Sequence, residues 1–332
     1  MLRFWSLEAM STPVKHSRKR PALFALAILS LIVPCKGWPQ KDQPITLRTD
    51  LVVVDATVTD KDGNFIRRLK PEDFVVYDDG EPRRHEYDLF EANEERSLSR
   101  PLAAVFALDI SGSIEPDQLV RQRQAAEAFI KLMRADSEFA VVCFSNEFKV
   151  LQDFTNDATK IGRAFTRIKE VGGATRLYGA IDRSVSMLKR GPRFRGGRRL
   201  RKVIVVITDG IDSVEPPDQE ALIQRANDAE VTVYSVTLPW YSPALPANQR
   251  IMTLLDVSRI VPLTGGKDFS ADASDFTPAF KAIAEEIRSS YTISYYPTEK
   301  NRHDGRIHQI RIECKAPGAI VRAARTSYQG GS

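Results

Sequence analysis

The sequence predicts an α/β fold, a doubly wound and mostly parallel sheet of the three-layer Rossmann type, with a small all-β domain contributed by both flanks of the chain. Two observations carry this. Between residues 98 and 290, short apolar runs alternate with stretches of helical periodicity, the grammar of strands covered by helices on both faces. Outside those limits, residues 45–92 and 291–327 hold β-rich runs separated by turn signals and no long helical pattern.

The chain has 332 residues, 42% apolar and 27% charged, with a formal charge of +5. That composition excludes disorder as the main theme. Residues 1–37 contain six Lys or Arg against the single acid Glu8, so from Trp38 onward 42 basic residues meet 42 acidic ones. The surplus therefore belongs to the leader. Its basic residues precede Pro21 to Pro34, 14 residues without charge, the length of a signal-peptide core and short of the about 20 that a membrane span needs. The expectation is export, with 1–37 a signal peptide or a retained signal anchor tethering the protein to a membrane, and a secreted, periplasmic or envelope location. Cys35, Cys143 and Cys314 are too few for a disulfide scaffold.

In chain order, Leu47 to Thr59 reads as a strand, followed by Asp60-Lys-Asp-Gly63, then Phe74 to Tyr77 and Asp78-Asp-Gly80. Asp-Gly between β-formers marks hairpins. A calcium loop starting at Asp60 is excluded because Pro71 stands where the closing Glu belongs. Glu91 to Arg100 reads as a linker. Leu102 to Leu108 is an unbroken apolar strand ending at Asp109, and the following helix carries Leu119, Ala126, Phe129, Ile130 and Met133 as a packing stripe. Phe139 to Phe144 is the next strand, with Phe148 to Phe154 as an adjoining edge hairpin. Helical spacing recurs at Ile161, Phe165 and Ile168 and at Leu177, Ile181, Val185 and Leu188. Val203 to Ile207 is a second central strand, ending at Thr208-Asp209-Gly210. Helices are then expected at Pro217 to Asp228, near Ile251 to Ser258 and near Phe276 to Arg288, with a strand at Val231 to Leu238. The late strands Tyr291 to Tyr296, Arg306 to Cys314 and Ile320 to Thr326 are expected to pair with the β unit before residue 92, leaving Tyr328 to Ser332 as a frayed tail.

The chemistry concentrates at the carboxyl ends of the two central strands, the edge where doubly wound sheets collect ligands. Asp109-Ile-Ser111-Gly-Ser113 follows the first, Asp209 follows the second, and Thr175 lies in Gly172-Gly-Ala-Thr-Arg. Two carboxylates and three hydroxyls are hard oxygen donors suited to Mg²⁺, with Mn²⁺ or Ca²⁺ as alternatives. Helix capping by Asp-x-Ser-x-Ser is the competing use of the tripeptide pattern alone.

With Asp109, Ser111, Ser113, Thr175 and Asp209 in place, the chain resembles the von Willebrand factor type A family over about Leu98 to Arg288. The resemblance implies a metal-ion-dependent adhesion site in which these five residues hold a divalent cation and an acidic side chain of a partner protein completes the coordination. It implies binding without catalysis. The flanks, through Leu51 to Asp60, Pro71-Glu-Asp-Phe74 and Tyr291 to Pro297, resemble a group of exported bacterial proteins related to that family. A metal-dependent hydrolase, or a scaffold with a vestigial site, are the alternatives. No His relay or general base accompanies the five residues, so no enzyme activity is expected.

Other features have plainer readings. Lys189, Arg190, Arg193, Arg195, Arg198, Arg199, Arg201 and Lys202 crowd one loop that enters its strand at the amino end, away from the metal edge; a solvated loop is expected, with a second protein or anionic-surface contact, or a nucleic-acid or lipid-headgroup patch, as the alternatives. His16, His85, His303 and His308 show no ligand spacing. Cys143 and Cys314 read as small apolar residues, and Asp268, Asp272 and Asp275 as loop and helix-start acids.

Overall fold

The computed structural model describes residues 51–83, 87–91, 100–112, 114, 116–168, 171–208, 218–238, 259–272 and 274–331. The leader, most of the linker at 92–99, the helix expected near Ile251 to Ser258, and Ser113 and Asp209 lie outside them. Among the described residues no helix is long and apolar enough to cross a membrane.

The first strands are β1 (Val52–Thr59), β2 (Phe74–Asp78), β3 (Glu81–Arg83) and β4 (Tyr87–Glu91). At the β1 turn, Asp60 Oδ1 accepts hydrogen bonds from the amides of Asp62 and Asn64, both at 2.9 Å, the carboxylate-to-backbone geometry that favours Asp in turns. The α/β region follows with β5 (Leu102–Asp109), α1 (Pro116–Leu132), β6 (Glu138–Phe144), β7 (Phe148–Thr155), α2 (Ala158–Phe165) and α3 (Leu177–Arg190). A hairpin of β8 (Phe194–Arg195) and β9 (Arg198–Arg199) leads to β10 (Arg201–Thr208), α4 (Gln219–Asp228), β11 (Val231–Thr237), α5 (Ile260–Leu263), β12 (Asp268–Ser270) and α6 (Thr277–Arg288). The chain finishes with β13 (Tyr291–Tyr295), α7 (Glu299–Arg302), β14 (Ile307–Cys314), β15 (Ile320–Ala323) and β16 (Ser327–Gln329).

Six strands form the central sheet in the order β12-β11-β10-β5-β6-β7, all parallel except β7, which runs antiparallel to β6. Successive side chains of a strand point to opposite faces, and β5 feeds two cores in this way. Leu102, Ala104, Phe106 and Leu108 pack with Phe129 of α1 and Phe280 and Ile283 of α6. Ala103, Val105 and Ala107 pack with Leu177, Ile181 and Val185 of α3 and Leu222 of α4. Both faces are therefore covered, which is why β5 and β10 read as unbroken apolar runs. After β7 the chain returns to the other side of β5 to lay down β10, so the strand order reverses between β5 and β10.

The flanks form two antiparallel sheets, β15-β1-β13-β4 and β16-β14-β2-β3, each mixing early with late strands. Val54 lies opposite Ile293, and Val76 opposite Ile312. Val54, Val58, Val76, Ile293, Tyr295 and Ile312 share one apolar core between them. The late segments complete the early ones, as the sequence predicts. The tail differs from expectation: Tyr328 is buried in β16, and its hydroxyl donates to both oxygens of Asp78 at 3.0 and 2.9 Å. A buried tyrosine needs a partner for its hydroxyl, and a strand 250 residues earlier supplies it.

A buried charge cluster joins these strands to the central sheet. Asp55 of β1 faces Arg100 at 3.2 Å and Arg201, the first residue of β10, at 3.3 Å, and accepts a hydrogen bond from Thr292 at 2.6 Å. Burial pushes the Asp55 carboxyl up, but the two guanidinium groups and Thr292 outweigh it and hold the group below its ordinary range. Arg201 also donates to the hydroxyls of Ser290 and Tyr234. Arg322 pairs with buried Glu286, and Arg67 with Glu285, so both flanks also grip the end of α6.

In the second sheet of the flanks, buried His308 contacts Asp79 Oδ2 through Nδ1 at 2.7 Å and Asp304 Oδ1 through Nε2 at 2.9 Å. Burial disfavours the charged ring, yet the two carboxylates prevail and its pKa is raised.

Two predictions follow from these pairs. Asp55→Asn leaves two guanidinium groups facing a neutral amide, and loss of one partner of a buried pair costs roughly 3–5 kcal/mol; urea denaturation is expected to show a loss of that order, and a loss below about 1 kcal/mol contradicts the joint. For His308, a folded pKa above the ordinary value of about 6.5 places its stabilisation fully below that pH, to be lost as pH rises through the folded value. In chelator, the Tm advantage of the native chain over His308→Gln is therefore expected to be larger, by about 2 °C, near pH 5.5 than near pH 8.5. A larger advantage at the higher pH reverses the sign and refutes the assignment.

Candidate metal centre

The point where strand order reverses leaves a crevice at the carboxyl ends of β5 and β10, and Asp109 closes β5 there with no exposed surface. Each oxygen of its carboxylate has a donor: the Ser111 amide donates to Oδ1 at 2.8 Å, and the hydroxyl of Thr208, the last residue of β10, donates to Oδ2 at 2.7 Å. The first bond is the local turn that Asp-x-Ser makes by itself. The second crosses the switch point and fixes the plane of the carboxylate.

A second set of bonds brings the Thr175 loop to the same edge. Gly172 donates its amide to the carbonyl of Ile110 at 2.7 Å, and Gly112 donates to the carbonyl of Gly173 at 3.3 Å. Asp109, Ser111 and Thr175 are all buried where these loops meet. Gly173 has φ +89°, and a Cβ there would stand 2.6 Å from Asn146 Nδ2. Asn146, in the turn after β6, accepts the amide of Ala174 at 2.9 Å through Oδ1. The loops after β5 and β6 and the loop before α3 are thereby tied into one rim.

Of the five residues the sequence singles out, Asp109, Ser111 and Thr175 are placed on this rim, while Ser113 and Asp209 lie outside the described residues. Thr208 and Asn146 escape sequence reasoning. Thr208 precedes the conspicuous Asp209 and reads as the end of a strand; Asn146 sits in an ordinary turn, and its role rests on a contact across 28 residues.

Among the described residues, Asp109, Ser111 and Thr175 offer the rim oxygen donors and no thiolate or imidazole, which suits a hard cation such as Mg²⁺ or Ca²⁺. The residues present fit the group that the sequence implies.

A second cluster stands in the flanking strands. One ligand atom from each of Asp78, Asp79 and His308 lies within 4.8 Å of the others. With its imidazole neutral, this cluster is capable of coordinating a divalent ion. The sequence shows no ligand spacing at His308, and the cluster arises in space instead: strand pairing brings His308 to Asp78 and Asp79. In the structure both imidazole nitrogens are engaged by Asp79 and Asp304, and the raised pKa favours the imidazolium, which has no lone pair to give a metal. Of the acids Asp268, Asp272 and Asp275, the last two meet the expectation and accept the amides of Ser274 and Thr277, whereas Asp268 opens strand β12 and accepts from Ser235 and Thr237. Cys143 and Cys314 are both unbridged, the first buried in β6.

Solved structures similar to this chain include an aerotolerance-related membrane protein from Bacteroides fragilis, 20% identical, covering 56% of this chain and 98% of that one with a TM-score of 0.42. BatB from Bacteroides thetaiotaomicron is 18% identical and covers 56% and 97%, with a TM-score of 0.41. A von Willebrand factor type A protein from Catenulispora acidiphila is 13% identical and covers 75% and 76%, with a TM-score of 0.46. Residues 104–211 match the family model of the von Willebrand factor type A domain, a span that runs from β5 past the carboxyl end of β10. By that match, residues 104–211 are similar to a von Willebrand factor type A domain.

Proposed function

We propose that the chain is an exported, adhesion-type binding module whose rim holds a divalent cation and captures an acidic side chain of a partner protein. Asp109, Ser111, Ser113, Thr175 and Asp209 are its metal ligands, and Mg²⁺ is the favoured ion. The observation that carries this reading is the junction of the loops after β5 and before α3, hydrogen-bonded through Ile110, Gly112, Gly172 and Gly173. It gathers buried oxygen donors at the switch point of the sheet.

When bound, the ion supplies a Lewis-acidic centre with affinity for an incoming carboxylate. The chain's own residues do the rest. Two ligand carboxylates balance a dication's charge without making the rim strongly anionic, which leaves it receptive to an acid from outside. Asp109 is held in one orientation by Thr208 and the Ser111 amide, so its geometry is set before any ion arrives. Asn146 plays a positioning part by fixing the loop that carries Thr175. Export to the envelope or beyond is supported by the basic residues and the 14 uncharged residues of the leader.

Mn²⁺ binding to the full chain, followed by electron paramagnetic resonance with Mg²⁺ as competitor, tests the site directly. Asp109→Asn and Thr175→Ala are each expected to weaken Mn²⁺ binding at least about tenfold, in line with the loss of a ligand or its support. His308→Gln is expected to leave it unchanged. Loss of Mn²⁺ binding in His308→Gln alone would move the metal to the flanking strands and sink the assignment. Asn146→Ala is expected to weaken binding by a smaller factor, about threefold to tenfold, with no change in the set of ligands; an effect as large as that of Asp109→Asn argues against a purely positioning role. Retention of an envelope protein in Mg²⁺ but not in chelator, and by the native chain but not Asp109→Asn, extends the test to the partner.

A further inference from the structure

The basic stretch expected as a solvated loop is instead a short hairpin. Gly196 and Gly197, with φ +54° and +76°, form its two-residue turn, the left-handed conformation that glycine tolerates, and Phe194 pairs with Arg199 across it. Its base is fixed: the Leu200 amide donates to the carbonyl of Arg193 at 2.8 Å, Arg100 donates to the carbonyls of Arg199 and Leu200, and Gly191 lies so close to Phe154 that a Cβ would stand 2.7 Å from its ring.

Two cations on the hairpin are already paired, Arg195 with Glu138 at 2.7 Å and Arg199 with Glu230 at 2.6 Å. Lys189, Arg190 and Arg193 are exposed and make no ion pair among the described residues. Between them and the turn, Phe194 is 64% exposed, the most exposed large apolar side chain among the described residues. The positive field is felt by a neighbour: burial, and then the guanidinium groups of Arg199, Arg193 and Arg100 against the pull of Glu230, bring the ammonium of Lys202 down to about 8. The hairpin stands at the amino ends of the strands, since Arg201 is in register with Leu102 at the start of β5. The metal rim is at the other end, about 25 Å away along eight residues of β5.

From Lys189, Arg190 and Arg193, exposed and without an ion pair among the described residues, and the exposed Phe194 that follows them in the hairpin, we propose that β8–β9 docks on an anionic phospholipid surface. An aromatic ring flanked by cations matches the two layers of such a surface, with the ring among the upper acyl carbons and the cations among the phosphates. Phe194 offers one exposed apolar side chain, too little for the roughly 800 Å² that each partner of a stable protein interface contributes. A flat, deformable anionic surface suits it. The inference is independent of the metal rim.

The test uses the full chain with Phe194→Trp, so that the added indole reports the hairpin itself whatever residues 1–50 do. Its signal is taken as the difference from the native chain, on vesicles of phosphatidylglycerol and phosphatidylcholine and on pure phosphatidylcholine, with brominated lipid as quencher. Blue-shifted emission and quenching are expected on the anionic vesicles only, weakening as salt screens the charges. Adding Lys189→Glu, Arg190→Glu and Arg193→Glu is expected to weaken the partition at least about a hundredfold, since each basic residue near such a surface contributes a factor of about five. Thermal unfolding checks that the reversed chain is folded, and Gln at the same three positions serves if it is not. Equal quenching on neutral vesicles, or quenching untouched by charge reversal or neutralisation, overturns the proposal. So does an indole that responds to polyglutamate or to an oligonucleotide and not to vesicles, which assigns the hairpin to an acidic protein or to nucleic acid instead.

Discussion

Asp55 sits where the two halves of the architecture meet, and the arrangement of everything else follows from its partners. It belongs to β1, yet the groups that neutralise it, Arg100 and Arg201, belong to the approach to β5 and the start of β10. Neither guanidinium nor carboxylate can be buried alone without a large cost, so the two apolar cores on the central sheet and the core of the flanking sheets are obliged to meet at this point. Thr292 on β13 adds its hydroxyl, which brings the chain's return from α6 into the same cluster. The outcome is polarity in the whole molecule: the amino ends of the central strands are occupied by the flanking sheets and the basic hairpin, and the carboxyl ends are left to loops.

That division explains how the rim is shaped apart from the flanking sheets. The rim at the carboxyl ends owes its shape to backbone and side-chain bonds inside the α/β layers, chiefly Thr208 to Asp109 and the glycine loop to Ile110 and Gly112. No strand of the flanks is needed to form it. A substitution in the flanks acts on stability first, while one at Asn146 or Thr208 acts on the rim.

Much of this was legible in the sequence, for a physical reason that can be named. Strands buried on both faces must be apolar at every position, so β5 and β10 announced themselves, and the acid ending each marked the edge where ligands gather. The Asp-Gly turns and the alternation in β14, where His308, Ile310 and Ile312 are buried and their neighbours are not, did the same for the flanks. What stayed hidden depends on distance along the chain. Tyr328 finds Asp78, His308 finds Asp79, and Asn146 finds Ala174 only after the strands have paired. A basic run interrupted by Gly196-Gly197 looked like a solvated loop, because composition records charge and not the hydrogen bond by which Leu200 closes the hairpin.

The position of β1 has a mechanical meaning. It is flanked on one side by β13 and on the other by β15, antiparallel to both, and it is the first strand after residues 1–50. A force applied along the axis of β1 loads both of its ladders. Its ladder bonds to both neighbours then carry the load together in shear, instead of opening one after another as they would if the strand were peeled. The Asp55 cluster lies midway along that strand, a charged pin set across the line of force.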